Sequence, residues 1–347
     1  MVCGYEPPAL YGIKAPPGIL GGKFFGVWVA AGPDGRHFQL LGKKPAYRNS
    51  DTGNIAFWDD RINRYVHFVR NWFPDQAGMR KVGRVESDDV TDFGGIPTQG
   101  LKPGEQETTV FGHDDDDPAD MDFYTNACIK YPFAEDAYFI FPSAYFHYPD
   151  PPVGERSNDG PLDIRLAVSR NGVDWNRVSR KPFVPLGVQG SFDDSVMYMV
   201  TGLLRKGAEL LMYYHSFDFT HGAHVVNKDK QKGVISRVVL RLDGFVSADA
   251  DYGGGRLVTP PITFSGSRLQ LNVETSVAGR AQVEIRDADE APIPGFTLQE
   301  CDPIQLNWID KTVTWNGSSD LSALADRPIR LHIAMRDAKL YAFQFVK

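Results

Sequence analysis

The chain has 347 residues, 42% of them hydrophobic and 23% charged, which is enough for one large core or two ordinary ones and excludes a disordered chain. Aromatics at 12%, with 34 glycines and 24 prolines, favour an all-β fold rich in turns. The formal net charge of −7 argues against a nucleic-acid backbone as ligand and is compatible with a neutral one such as a sugar.

The chain opens MVCGYEPPALYG, with no basic segment followed by an apolar one, so no signal peptide is visible and a cytoplasmic location is expected. No apolar run reaches the length of a membrane span. Cys3, Cys128 and Cys301 are far apart and odd in number, which suits buried free thiols rather than a disulfide framework or a zinc site.

The first predicted strands fall in WVAAGPDGRHF, which turns at Asp34-Gly35 and ends on Phe38. GRVESDDVTDF, ending at Phe93, and LAVSRNGVDW, ending at Trp175, repeat the pattern with Asp89 and Asn171 at the turn. An acid or amide before glycine is a strong hairpin signal because the turn needs positive φ.

A second element alternates with the first. SDTGNIAFWDDRINRYVHFVR from Ser50 has an acid, Asp51, an apolar strand, a charged turn and a second strand. DFYTNACIKYPFAEDAYFIFPSAYF from Asp122 and DDSVMYMVTGLLRKGAELLMYYHSF from Asp193 are built the same way. Their second strands are nearly continuous in apolar and aromatic residues, the pattern of strands buried on both faces. Repeated four-stranded antiparallel units of this kind read as propeller blades, with whole blades at 50–100, 121–186 and 193–248 and only later strands at 1–45. From about Arg256 the strands alternate strictly, with Leu269, Leu271 and Val273 on one face, which indicates a β-sandwich. The expected organisation is a partial β-propeller of about three and a half blades over residues 1–252 and a sandwich over 256–347, separated by Gly253–Gly255.

With SRNGVDW at 169–175 and the paired strands YTNACIKYP and AYFIFPSAY, the chain resembles the five-bladed propeller glycoside hydrolases of families 32, 43 and 68, which carry a C-terminal β-sandwich. That resemblance implies an incomplete, N-terminally truncated five-bladed propeller whose inner-strand heads bring carboxylates to one funnel. Asp51 would then stand in the place of the family's acid, with Asp for the expected Glu, and the first-blade carboxylate is missing. Glu300-Cys301 resembles the acid motif of family 32 but lies in the sandwich.

Glycoside hydrolysis needs one protonated and one ionised carboxyl group across the scissile bond. The candidates are Asp51, Asp122 and Asp194 as catalytic groups, with Asp193 beside the last. Asn54, Asn126 and Tyr124 could meet sugar hydroxyls, tyrosine also by stacking. The cluster HSFDFTHGAH offers His215, Asp218, His221 and His224, and His221 is the expected substrate contact rather than a metal ligand. No cofactor is expected. GHDDDDPADMD has the oxygen ligands for a structural calcium ion but not the spacing of an EF-hand, and reads first as a solvated acidic loop.

The expected activity is exo-acting hydrolysis of furanosides or short β-linked oligosaccharides. A carbohydrate-binding propeller without catalysis is one alternative. A glycoside phosphorylase is another and would need a basic pocket from Arg70, Arg165 or Arg237. The open flank beside FFGVWVA implies a homo-oligomer in which a second chain covers the apolar edge.

Overall fold

Short apolar strands punctuated by Asp and Asn turns fold here as antiparallel meanders. The structure, a computed structural model, describes residues 2–3, 26–42, 44–47, 53–72, 79–94, 108–149, 158–223 and 232–347. It is all-β, with a short 3-10 turn at Ser322–Leu324. No helix of the described residues is long and apolar enough to cross a membrane.

The chain divides into two compact units, residues 1–203 with 212–238, and residues 204–211 with 239–347. The division falls ahead of Gly253–Gly255, since Ala248–Ala250 and Gly255–Val258 already pair with Ile329–Val346. Within the 193–248 repeat, Gly233–Arg241 pairs with Glu209–Phe217.

In the first unit, Val2–Cys3, Val27–Ala31 and Gln39–Leu41 form a three-stranded sheet. The next sheet is a four-stranded meander of Ile55–Asp59, Arg64–Trp72, Arg80–Ser87 and Thr108–Phe111, its fourth strand lying just beyond the expected limit at residue 100. Along Arg64–Trp72, Val66 and Phe68 enter one hydrophobic cluster and Val69 another, so this strand is buried on both faces as its continuous apolar run implies.

The following repeat has three strands that each break midway. Met121–Phe123 and Ile129–Lys130 are separated by Ala127 at φ 42°, Tyr138–Ile140 and Ser143–Phe146 by Pro142, and Leu162–Ile164 and Ala167–Ser169 by a two-residue step. Proline cannot donate to a ladder, so the sheet divides there. One half continues to Trp175–Asn176, and the other is joined in parallel at Leu162 by Val196 of Val196–Met199.

Glu209–Phe217 pairs with Val196–Met199 and with Leu204–Lys206. It departs from the two-sided burial expected of it. Leu210, Met212, Tyr214 and Ser216 are buried while Tyr213 and His215 are exposed, because only one face of this strand meets a packed layer.

The three turn residues of the repeat act alike. Asp34 Oδ1 accepts the amides of Arg36 and His37 at 2.9 and 2.8 Å, Asp89 Oδ1 that of Thr91 at 2.8 Å, and Asn171 Oδ1 those of Val173 and Asp174 at 2.9 and 2.8 Å. These bonds, led by the side-chain contact with His37, hold the Asp34 carboxyl down at about 2. Phe93 is buried and Trp175 packs edge-on to Phe68, whereas Phe38 remains exposed.

In the second unit, two long strands, Arg268–Asp287 and Ile329–Val346, pair along their length with a register break between Thr275 and Arg280. Residues from both halves, Leu269, Leu271 and Val273 with Val283, Ile285 and Ile333, enter one hydrophobic cluster, which gives the unit its sandwich core. Phe264 and Trp315 fill that core. Phe345 stacks on Phe264 at 3.8 Å, and Phe343, edge-on to Phe345, is 37% exposed. Cys128 and Cys301 are buried free thiols, and burial raises both above the usual thiol range.

Candidate functional site

Asp122 lies within the strand Met121–Phe123 rather than ahead of it. Met121 and Phe123 enter a hydrophobic core, so strand alternation turns Asp122 the other way, beside Tyr145, its cross-strand partner. The carboxylate is fully buried. Its Oδ2 accepts the Arg80 amide at 2.9 Å and the Arg80 guanidinium at 3.1 Å, and stands 3.3 Å from His147 Nε2. Oδ1 has no hydrogen-bond partner among the described residues.

Around this pair stands a wall of rings and guanidiniums. The Arg70 guanidinium carbon lies 3.9 Å from the centre of the Tyr124 ring, and that of Arg80 lies 4.9 Å from it. Arg70 also donates to the Tyr124 carbonyl at 2.7 and 3.2 Å. His221 packs against Tyr124 and Tyr145 at 4.7 and 5.1 Å, and its Nδ1 is 3.1 Å from the Tyr198 hydroxyl. His147 lies on Tyr145 at 4.0 Å. Burial drives the phenols of Tyr145 and Tyr198 above the ordinary tyrosine range, so both are hydroxyl donors at neutral pH.

The sequence-predicted residues do not all come together. Asp122, Tyr124 and His221 come together in this cluster. Two guanidiniums, those of Arg70 and Arg80, already stack on the Tyr124 ring. Asn126, Asp193 and Asp194 are engaged by other groups of the protein. Asn126 accepts the Cys128 amide and donates to the Gly53 carbonyl, and Asn54, next along, is half-buried. Asp193 bonds Ser191 and the Tyr214 hydroxyl, while Asp194 takes the Gln189 side chain, the Gly190 amide and the Ser195 hydroxyl. Arg237 is exposed on Gly233–Arg241, and Arg165 is held by Asp163. Asp51 and His224 lie outside the described residues.

No group of His, Cys, Asp or Glu suited to a metal ion occurs among the described residues. The acidic loop expected as a possible calcium site is occupied by cations of the protein itself. Arg177 bonds Asp114 and both carboxylate oxygens of Asp117, and Arg180 reaches Asp114, Asp116 and Asp117.

A groove of about 730 Å³ is lined by Ile55, Phe57, Trp58, Ile129, Tyr131 and Phe133, among others. None of the candidate acids lines it.

Sequence reasoning missed Asp159. This aspartate is 1% exposed, and its Oδ1 accepts the amides of Gly160 and Gly222 at 2.8 and 2.6 Å. Its neighbour Asn158 accepts Arg80 at 3.3 Å and the Tyr145 hydroxyl at 3.1 Å, which ties this segment to the Asp122 cluster. The signal was Asn-Asp-Gly ahead of a strand, which on its own reads as a turn.

No family model matches the sequence, and no curated protein matches it. Among solved structures the chain is similar to an N-acetylgalactosamine deacetylase from F. plautii in complex with blood group B trisaccharide, at 16% identity and TM-score 0.41, covering 60% of this chain and 54% of that one. It is also similar to a glycoside hydrolase family 43 arabinoxylan arabinofuranohydrolase from Bacillus subtilis in complex with cellotetraose (13% identity, TM-score 0.36, 93% of this chain and 74% of that one). A further match is a family 32 β-fructofuranosidase from Bombyx mori, at 11% identity and TM-score 0.34, covering 92% and 72%. The chain thus spans about half the length of the deacetylase.

Proposed function

We propose that the protein is a carbohydrate-active enzyme that cleaves glycosides at the Asp122 cluster, taking furanosides or short β-linked oligosaccharides from one end. The supporting observation is Asp122 Oδ1, a carboxylate oxygen without a partner among the described residues, set within a shell of phenols, imidazoles and guanidiniums. Burying an incompletely bonded carboxylate is unfavourable, so its retention points to a hydrogen-bonding ligand. Tyr198, His221, His147 and Asn158 are only half-buried and supply donors and acceptors suited to ring hydroxyls.

A second reading, glycoside phosphorolysis, is favoured by Arg70 and Arg80 lying together over Tyr124, where a phosphate oxyanion would find two guanidiniums. Assaying aryl furanosides and pyranosides with and without inorganic phosphate separates the two. Turnover without phosphate supports hydrolysis, and turnover only with phosphate supports phosphorolysis. Sugar binding without turnover under either condition contradicts both in favour of a binding propeller.

A further inference from the structure

We infer that Asp159 is a positioning residue that sets His221 in the proposed sugar site, an inference that rests on the carbohydrate reading of the Asp122 cluster. His221 sits in the turn Thr220–Ala223, closed by the Ala223 amide on the Thr220 carbonyl at 3.0 Å. Two successive amides of that turn are bonded to Asp159–Gly160. The His221 amide donates to the Gly160 carbonyl at 3.1 Å, and the Gly222 amide donates to Asp159 Oδ1 at 2.6 Å. The same oxygen takes the Gly160 amide, so one buried carboxylate bonds both segments of the contact.

The fit leaves no room for a looser arrangement. A Cβ on Gly222 would lie 2.6 Å from the Asp159 Cβ and 2.8 Å from its Cγ. A Cβ on Gly160, at φ +155°, would lie 1.7 Å from the Phe146 carbonyl oxygen. Gly160 therefore lies against backbone, and Gly222 against the Asp159 side chain, where only glycine fits. The product of this docking is an imidazole held with Nδ1 on the Tyr198 hydroxyl and its ring against Tyr124 and Tyr145. Asp159 reaches His221 through the main chain, and a reacting group displaced by about 1 Å can lose about 100-fold in rate.

The test pairs imidazole NMR of His221 with steady-state kinetics on whichever glycoside the full-length protein turns over. Asp159→Ala is expected to move the His221 ring resonances and titration midpoint and to lower kcat/KM by about 100-fold. Asp159→Asn keeps an acceptor for both amides and is expected to restore the His221 resonances. In a His221→Ala background, Asp159→Ala should change kcat/KM by less than about twofold, since residues acting through one another are not additive. Gly222→Ala disturbs the same contact while leaving every polar group in place, and should shift the same resonances. Unmoved His221 signals in both Asp159→Ala and Gly222→Ala overturn the inference, as does a full additive loss in the His221→Ala background. The NMR readout is independent of turnover. A protein that cleaves no glycoside but whose His221 signals follow Asp159 would contradict the enzymatic reading and leave the positioning role standing.

Discussion

Arg80 meets Asp122 twice, through its backbone amide at 2.9 Å and its guanidinium at 3.1 Å, both on Oδ2. The carboxylate is fully buried and the Arg80 side chain 12% exposed, so removing the arginine leaves a buried charge without its ion-pair partner. Breaking a buried pair from one side typically costs about 3–5 kcal/mol. Arg80→Ala is therefore expected to lower the unfolding free energy by about 3 kcal/mol or more in urea titration. Arg80→Lys, which keeps the charge but not the planar fork, should recover only part of the loss.

The acidic loop gives a second prediction. Asp117 and Arg177 are 4% and 9% exposed, while Arg180 is 39% exposed. Arg177→Ala should destabilise the protein by about 3 kcal/mol. Arg180→Ala should lose less than about 1 kcal/mol, as exposed pairs do. Because the aspartates already bond arginines, removal of divalent ions by chelation should leave the melting temperature unchanged. A clear drop on chelation, reversed by calcium, would show that the ion competes for this loop.

His67 makes the protein sensitive to acid. Its ring is wholly buried, packed against Tyr47 and Phe93, and burial lowers its pKa to about 3. The folded state therefore resists protonation that the unfolded chain accepts below about 6.5. The unfolded state binds more protons in that window, so stability is lost as pH falls from about 6.5 towards 3, at up to about 1.4 kcal/mol per pH unit. His67→Phe should flatten this part of the stability curve, as measured by denaturant midpoints at successive pH values.

Much of the fold was legible because it rests on local chemistry. Asp34, Asp89 and Asn171 each close their turn through bonds to nearby amides, which a sequence displays directly. The burial of Leu269, Leu271 and Val273 likewise follows from strict alternation. The particular partners of each side chain decide the rest. The acids at 193 and 194 sit ahead of a strand as the resemblance implies, yet nearby hydroxyls and amides and the Tyr214 phenol take both of them. Arg80 and Asn158 reach the Asp122 cluster across 42 and 36 residues of sequence respectively, and no periodicity announces such a meeting. Asp159 was hidden for the opposite reason, since Asn-Asp-Gly also makes an ordinary turn.

The central claim is that Asp122 and the groups around it act on glycosides, and comparing wild-type kcat/KM with that of Asp122→Asn on the best aryl glycoside tests it most directly. The substitution keeps the size and one acceptor, and circular dichroism and thermal melting would establish that the fold persists. A loss of at least about 100-fold, with the substrate still bound, is the predicted result, because removing a carboxylate that acts in the transition state lowers kcat rather than binding. A folded Asp122→Asn protein with undiminished kcat/KM would contradict the account and return Asp122 to a purely structural role.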